Sequence, residues 1–212
     1  MPKRFALSTA AALLSFGLLT GCGVTKDLTP LKATASTAPA EGTASPDCTA
    51  VDGPLLTAKH EAGEPEIALP QPDGWERNES LDSQVIRLVI GNPSLTRNGF
   101  APNIVITVGT HPSDVEAAFR TELAGMESSG STAIGSPETT TICGYPARTA
   151  GYTAAPMGST PARPMTTTFV GIEKGESSTF IVALVGQSTN PDDMDQLRSI
   201  IAGVQISGAD RS

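Results

Sequence analysis

Apolar positions fall into short blocks whose spacing changes along the chain. Glu66-Ile67-Ala68-Leu69 predicts a short strand, and Pro70 to Trp75, built around Pro72-Asp73-Gly74, predicts a turn. Val85 to Ile90 and Asn103 to Val108 are β-branched runs, apolar at successive positions, which predicts strands buried on both faces. Asn92-Pro93 ends the first of them. The period then becomes helical: Val115, Phe119, Leu123 and Met126 share one face. Ser113 and Glu116 have the spacing of a capping box at its start, and Ser128-Ser129-Gly130 ends it.

Thr139 to Cys143 and Tyr145 to Thr153 read as strands around Gly144. Met165 to Ile172 and Ser178 to Gly186 read as a hairpin about Glu173-Lys174-Gly175-Glu176. A last helix opens at Asn190, with Pro191 in its first position, acids in its first turn and a stripe of Met194, Leu197, Ile201 and Val204. Short turns between late strands require a mostly antiparallel sheet, and two amphipathic helices would cover it. The fold class predicted is α+β, a sandwich.

Composition bounds this picture. The chain has 212 residues, net charge −8, 21 glycines, 17 prolines and only 4% aromatics. The acidic balance argues against a nucleic-acid partner, which needs a basic surface. The first 21 residues read as a signal peptide, with Lys3 and Arg4 ahead of an uncharged, mostly apolar Phe5 to Leu19. Leu19-Thr20-Gly21-Cys22 resembles the bacterial lipobox, which implies cleavage before Cys22 and acylation of its thiol; several chains hold a protein stably at a bilayer. Removing Lys3 and Arg4, and no acid, moves the net charge from −8 to −10. Residues 22–46 read as the acylated cysteine and a flexible linker, since 17 of the 24 residues from Gly23 to Pro46 are Thr, Ala, Ser, Pro or Gly. Such a linker reaches roughly 25–30 Å. Residues 47–212 read as a single globular domain, its folded part ending near Ile206. Export leaves Cys48 and Cys143 in an oxidising compartment, where they are expected to pair; two separately buried thiols are the alternative.

Chemistry-bearing patterns are missing. His60-Glu61 lacks the second histidine of a zinc-protease helix, and His111 reads as a loop residue. No nucleophile elbow or phosphate loop occurs. Asp192, Asp193 and Asp195 suit helix capping better than calcium, Glu64 and Glu66 read as solvated surface, and Asn78-Glu79-Ser80 is a chance sequon in a bacterial protein. No catalytic residue, metal ligand or cofactor is assigned. Binding is what remains, with Trp75 and Phe100 as candidate walls of an apolar cleft and Tyr145, Tyr152 and Phe169 leaning toward core.

Pro72-Asp73-Gly74-Trp75, Gly144-Tyr145-Pro146-Ala147 and the apolar strand Phe180 to Val185, in that order behind a lipobox and linker, make the chain resemble the LpqN/LpqT family of mycobacterial lipoproteins over Cys22 to Ile206. The resemblance implies a PsbP-like α/β/α sandwich with a central antiparallel sheet flanked by two helices. It also implies a non-enzymatic role in cell-envelope biogenesis, on the extracytoplasmic face of the cell membrane. The expected partners are the membrane, through the lipid anchor, and an envelope glycolipid or a membrane lipid exporter. A surface-exposed or secreted host-interaction module, and a hydrolase with an unfamiliar site, are the alternatives. Ala154 to Pro164, rich in Pro and Gly, reads as a loop that departs from such relatives.

Overall fold

A computed structural model describes residues 47–158 and 160–208; the expected signal peptide, Cys22 and the linker lie outside the described residues. In chain order the strands and helices are β1 (Leu55–Thr57), β2 (Glu66–Pro70), β3 (Glu76–Arg77), β4 (Ile86–Gly91), β5 (Asn103–His111), α1 (Val115–Ser128), β6 (Glu138–Ile142), β7 (Tyr145–Ala154), β8 (Arg163–Glu173), β9 (Thr179–Gln187), α2 (Met194–Ala202) and β10 (Gln205–Ser207). Seven strands form one antiparallel sheet in the order β3-β4-β5-β9-β8-β7-β6. The α+β class stands. A second antiparallel sheet of three strands, β1-β2-β10, is an addition to the single sheet expected.

Strand alternation assigns the two faces of the large sheet. Val170 and Ile172 of β8 and Phe180, Val182 and Leu184 of β9 enter one core with Ile67, Leu69, Trp75, Leu197, Ile201 and Ile206, so this face carries α2 and the small sheet. Phe169 of β8 and Ile181 and Ala183 of β9, the intervening positions, meet Val115, Ala118, Phe119 and Met126 of α1 on the opposite face. The α1 helix lies directly on β8 because Gly171 has no side chain: a Cβ there would stand 2.4 Å from Val115 Cγ1.

Several local expectations change. β5 is buried only at alternate positions (Ile104, Ile106, Val108), because α1 covers β8 and β9 and leaves the other face of β5 half open. β4 is the two-faced strand, with four consecutive buried residues. The N-cap of α1 is Asp114, not Ser113: its carboxylate accepts from Ala117 N at 2.7 Å, while Glu116 pairs with Arg148 instead of reaching back. Asn190 caps a 3₁₀ turn, Pro191–Asp193, and the α-helix proper starts at Met194. Val204, expected on the α2 stripe, is buried beyond the helix end. Within the expected Ala154 to Pro164 loop, Ala154 ends β7 and Arg163 opens β8.

A disulfide joins Cys48 to Cys143, 95 positions apart. Cys143 and Gly144 occupy the two-residue turn between β6 and β7, both at positive φ. Gln205 Nε2 donates to Thr49 O at 2.9 Å, so β10, the segment beside Cys48 and the β6–β7 turn are fastened together.

Candidate functional site

Because α1 lies on β8 and β9 and meets β5 at its His111 end, the same face of the large sheet is uncovered at the β3 end. An open trough of about 550 Å³ lies there. Its floor comes from side chains at alternating positions of adjacent strands, Val89, Val105, Asn103 and Gln187. Gly91 sits opposite Asn103 and contributes no side chain. Leu81 marks one rim, half exposed, on the 3₁₀ turn Glu79–Leu81 that Asn78 caps.

Phe100 forms the opposite wall. It belongs to a small hairpin in which Arg97 and Phe100 exchange two backbone hydrogen bonds, each 3.0 Å, across Asn98 and Gly99. Asn98 and Gly99 have φ of 52° and 75°, the left-handed pair such a tight turn demands. Behind the ring, the Arg163 guanidinium stacks at 5.1 Å from the Phe100 centroid. Arg163 Nε donates to Gln187 Oε1 at 2.7 Å, Gln187 Nε2 donates to Asn103 Oδ1 at 2.8 Å, and Asn103 Nδ2 donates to Ala101 O at 2.9 Å. One polar chain thus runs across β8, β9 and β5 along the trough. Sequence reasoning missed Arg163, which it had placed in a loop, and missed Gln187 and Asn103, whose alignment depends on register.

At the β3 end, Asp82 accepts from Lys59 Nζ at 2.8 Å and from Arg77 Nη2 at 3.0 Å. The Lys59 hydrogen bond holds this carboxyl below the usual carboxylate range, with Arg77 adding to the effect and burial opposing it.

Trp75, the other expected cleft wall, is not in the trough. It is 2% exposed and belongs to the core beneath the small sheet and α2. It directly precedes β3, where Glu76 lines the trough, and alternation sends the indole to the opposite face. Phe169 and Tyr145 are buried, and Tyr152 is half-buried beside α1 with its hydroxyl 3.2 Å from Thr167 Oγ1.

His111 ends β5 instead of sitting in a loop, and its Nε2 lies 2.7 Å from Glu122 Oε1 on α1. Glu64 is not solvated surface: it is held by the buried Arg87 at 2.6 Å, with Glu61 on the other nitrogen at 3.2 Å. Glu66 stands apart, 3.9 Å from His60. Asp193 takes hydrogen bonds from Ser188 and Asn190, and Asp195 pairs with Arg198. Among the described residues, no group of three His, Cys, Asp or Glu side chains could hold a metal ion. No described helix is long and apolar enough to cross a membrane.

No protein-family model matches the chain, and no curated protein does. Among solved structures, the chain is similar to LpqN of Mycobacterium tuberculosis, described as involved in cell envelope biogenesis. The two share 20% sequence identity with a TM-score of 0.57, over 73% of this chain and 91% of that one. At this identity the likeness is one of fold, a distant structural relationship.

Proposed function

We propose that this chain is a lipid-anchored, non-catalytic binding module of a mycobacterial cell envelope, and that the trough beside Phe100 is its ligand site. The observation that carries the reading is the shared fold with LpqN, spanning nearly all of that protein and most of this one. In this reading residues 1–21 are a signal peptide, 22–46 an acylated cysteine and linker, and 47–212 one domain held at the extracytoplasmic face of the cell membrane. The Cys48–Cys143 bond suits an exported protein. The non-catalytic assignment draws on the surroundings of the two histidines: the only side chains within hydrogen-bond or ion-pair reach of them among the described residues are the carboxylates Glu66 and Glu122. The proposed ligand is an envelope lipid or the exposed surface of a lipid exporter.

The test is expression of the full chain in a mycobacterial host with labelled palmitate. Label and membrane fractionation are expected in the parent and lost in Cys22→Ala. Native mass spectrometry of the purified parent is expected to show a co-purified lipid or membrane protein. An unlabelled parent that fractionates in the soluble phase, or activity on ester, phosphate or glycoside panels that disappears in His111→Ala, would overturn the reading.

A further inference from the structure

The chain has five asparagines, and four of them are held. Asn78, Asn92 and Asn190 each cap a 3₁₀ turn through the side-chain carbonyl, and Asn103 gives and takes a hydrogen bond in the polar chain along the trough. The residues that follow these four are poor nucleophiles. Pro93 and Pro191 have no amide hydrogen, and Glu79 and Ile104 carry side chains that crowd the amide nitrogen. Asn98 differs on both counts. Its side chain takes part in no hydrogen bond among the described residues, and the residue after it is Gly99, which has no side chain. Both residues are exposed, and the Gly99 N–H is free of any hydrogen bond among the described residues. A Cβ at Gly99 would meet nothing within 4 Å, so the space beside it is open.

This arrangement has a chemistry of its own. The Gly99 nitrogen attacks Asn98 Cγ: a C–N bond forms, the bond from Cγ to Nδ2 breaks, and the amide proton leaves with ammonia. One water then opens the five-membered imide. Opening at Cγ restores the backbone and leaves an aspartate. Opening at the main-chain carbonyl routes the chain through the side chain, an isoaspartate with one extra backbone carbon. Water is consumed and ammonia released, and no other reactant is needed. The closed turn holds Asn98 and Gly99 at φ of 52° and 75° through the two Arg97–Phe100 backbone bonds, so attack requires the turn to open. Those bonds lie outside both hydrophobic cores, so they open locally without unfolding the sheet.

We propose that Asn98 is a self-modifying site, converted with time to aspartate and isoaspartate, and that the isoaspartate releases the Phe100 wall of the trough. A two-residue turn has no slack. One more backbone carbon between Arg97 and Phe100 pulls apart the pairing that seats the ring against the Arg163 guanidinium. Either product also carries a negative charge where a neutral amide stood. The modification goes beyond the ligand reading; only its effect on a ligand rests on the trough being where ligand binds.

The experiment is incubation of the full chain in nonionic detergent at mildly alkaline pH, followed by peptide mass spectrometry and hydrogen exchange. Deamidation at Asn98 is expected to run roughly tenfold or more faster than at Asn78, Asn92, Asn103 or Asn190, a barrier lower by about 1.4 kcal/mol. Isoaspartate, identified by its fragmentation, should accompany aspartate. The Arg97 and Phe100 amides, the two donors of the turn, should exchange faster in the aged chain than in the fresh one. Asn98→Gly keeps a residue at ease at positive φ and has no side-chain amide, so its turn should exchange alike before and after incubation. Freshly made Asn98→Asp has the charge without the extra carbon and should protect the turn as the fresh parent does. Asn98 reacting no faster than the other four overturns the site. An aged turn that exchanges as slowly as the fresh one overturns the release of Phe100. Either result leaves the envelope reading to the palmitate experiment, which judges it separately.

Discussion

At the scale of single residues, charge placement separates scaffold from site. Asp82 belongs to the scaffold: its side chain is 4% exposed and held by Lys59 and Arg77. Its folded pKa is lowered, so its contribution is complete above the ordinary carboxylate value of about 3.9 and is lost as pH falls through the lower folded value. Asp82→Asn is therefore expected to destabilise the domain at neutral pH, with the gap to the parent closing in acid, as pH falls from the ordinary carboxylate value through the lower folded one. Urea unfolding at neutral and acidic pH checks this, and a gap that does not change with pH refutes it. Trp75 and Phe100 show how a residue outside a regular run hides its direction from sequence reading. Both are aromatics beside turns, yet one lies in the core and the other walls the trough. The difference is the phase of the neighbouring strand, which only the register of the sheet defines.

Elements were legible in proportion to their length and internal pattern. β4, β5, β8, β9 and both helices carry runs or stripes long enough to declare themselves. β3 has two residues and β10 three, and their pairing is decided by distant partners, as when Ile206 meets Ile67. No local pattern encodes such a contact. The trough was illegible for the same reason, since it arises from which strands α1 covers, and the close seat of α1 on β8 depends on Gly171. Gly171→Ala brings a methyl to 2.4 Å from Val115 Cγ1. It should cost about 1–3 kcal/mol by overpacking. Adding Val115→Ala removes the clashing methyl, so the double variant should be more stable than the two single costs summed would allow. Thermal melts of the four chains measure the coupling, and strict additivity would argue that α1 does not rest on β8 in this way.

For the molecule as a whole, the small sheet is a seam drawn from both ends of the domain, since β10 closes on β2 and Gln205 holds Thr49. The disulfide locks that seam to the β6–β7 turn. Losing it through Cys48→Ser should destabilise the domain by about 2–5 kcal/mol, a fall in Tm on the order of 10 °C. Calorimetry of the variant, compared with the reduced parent, tests this; two melts equal to that of the oxidised parent would mean that the bond bears no load.

That bond also governs how the domain would respond to being pulled. Tension entering from the amino-terminal side meets Cys48 first and crosses the sulfurs to Cys143 without stretching the chain between them. The 95 positions so bypassed correspond to roughly 320 Å of extendable length. Oxidised molecules held in optical tweezers should rupture with a contour gain shorter by about that amount than reduced ones, because β1 to β6 together with α1 stay enclosed in a loop that tension does not extend.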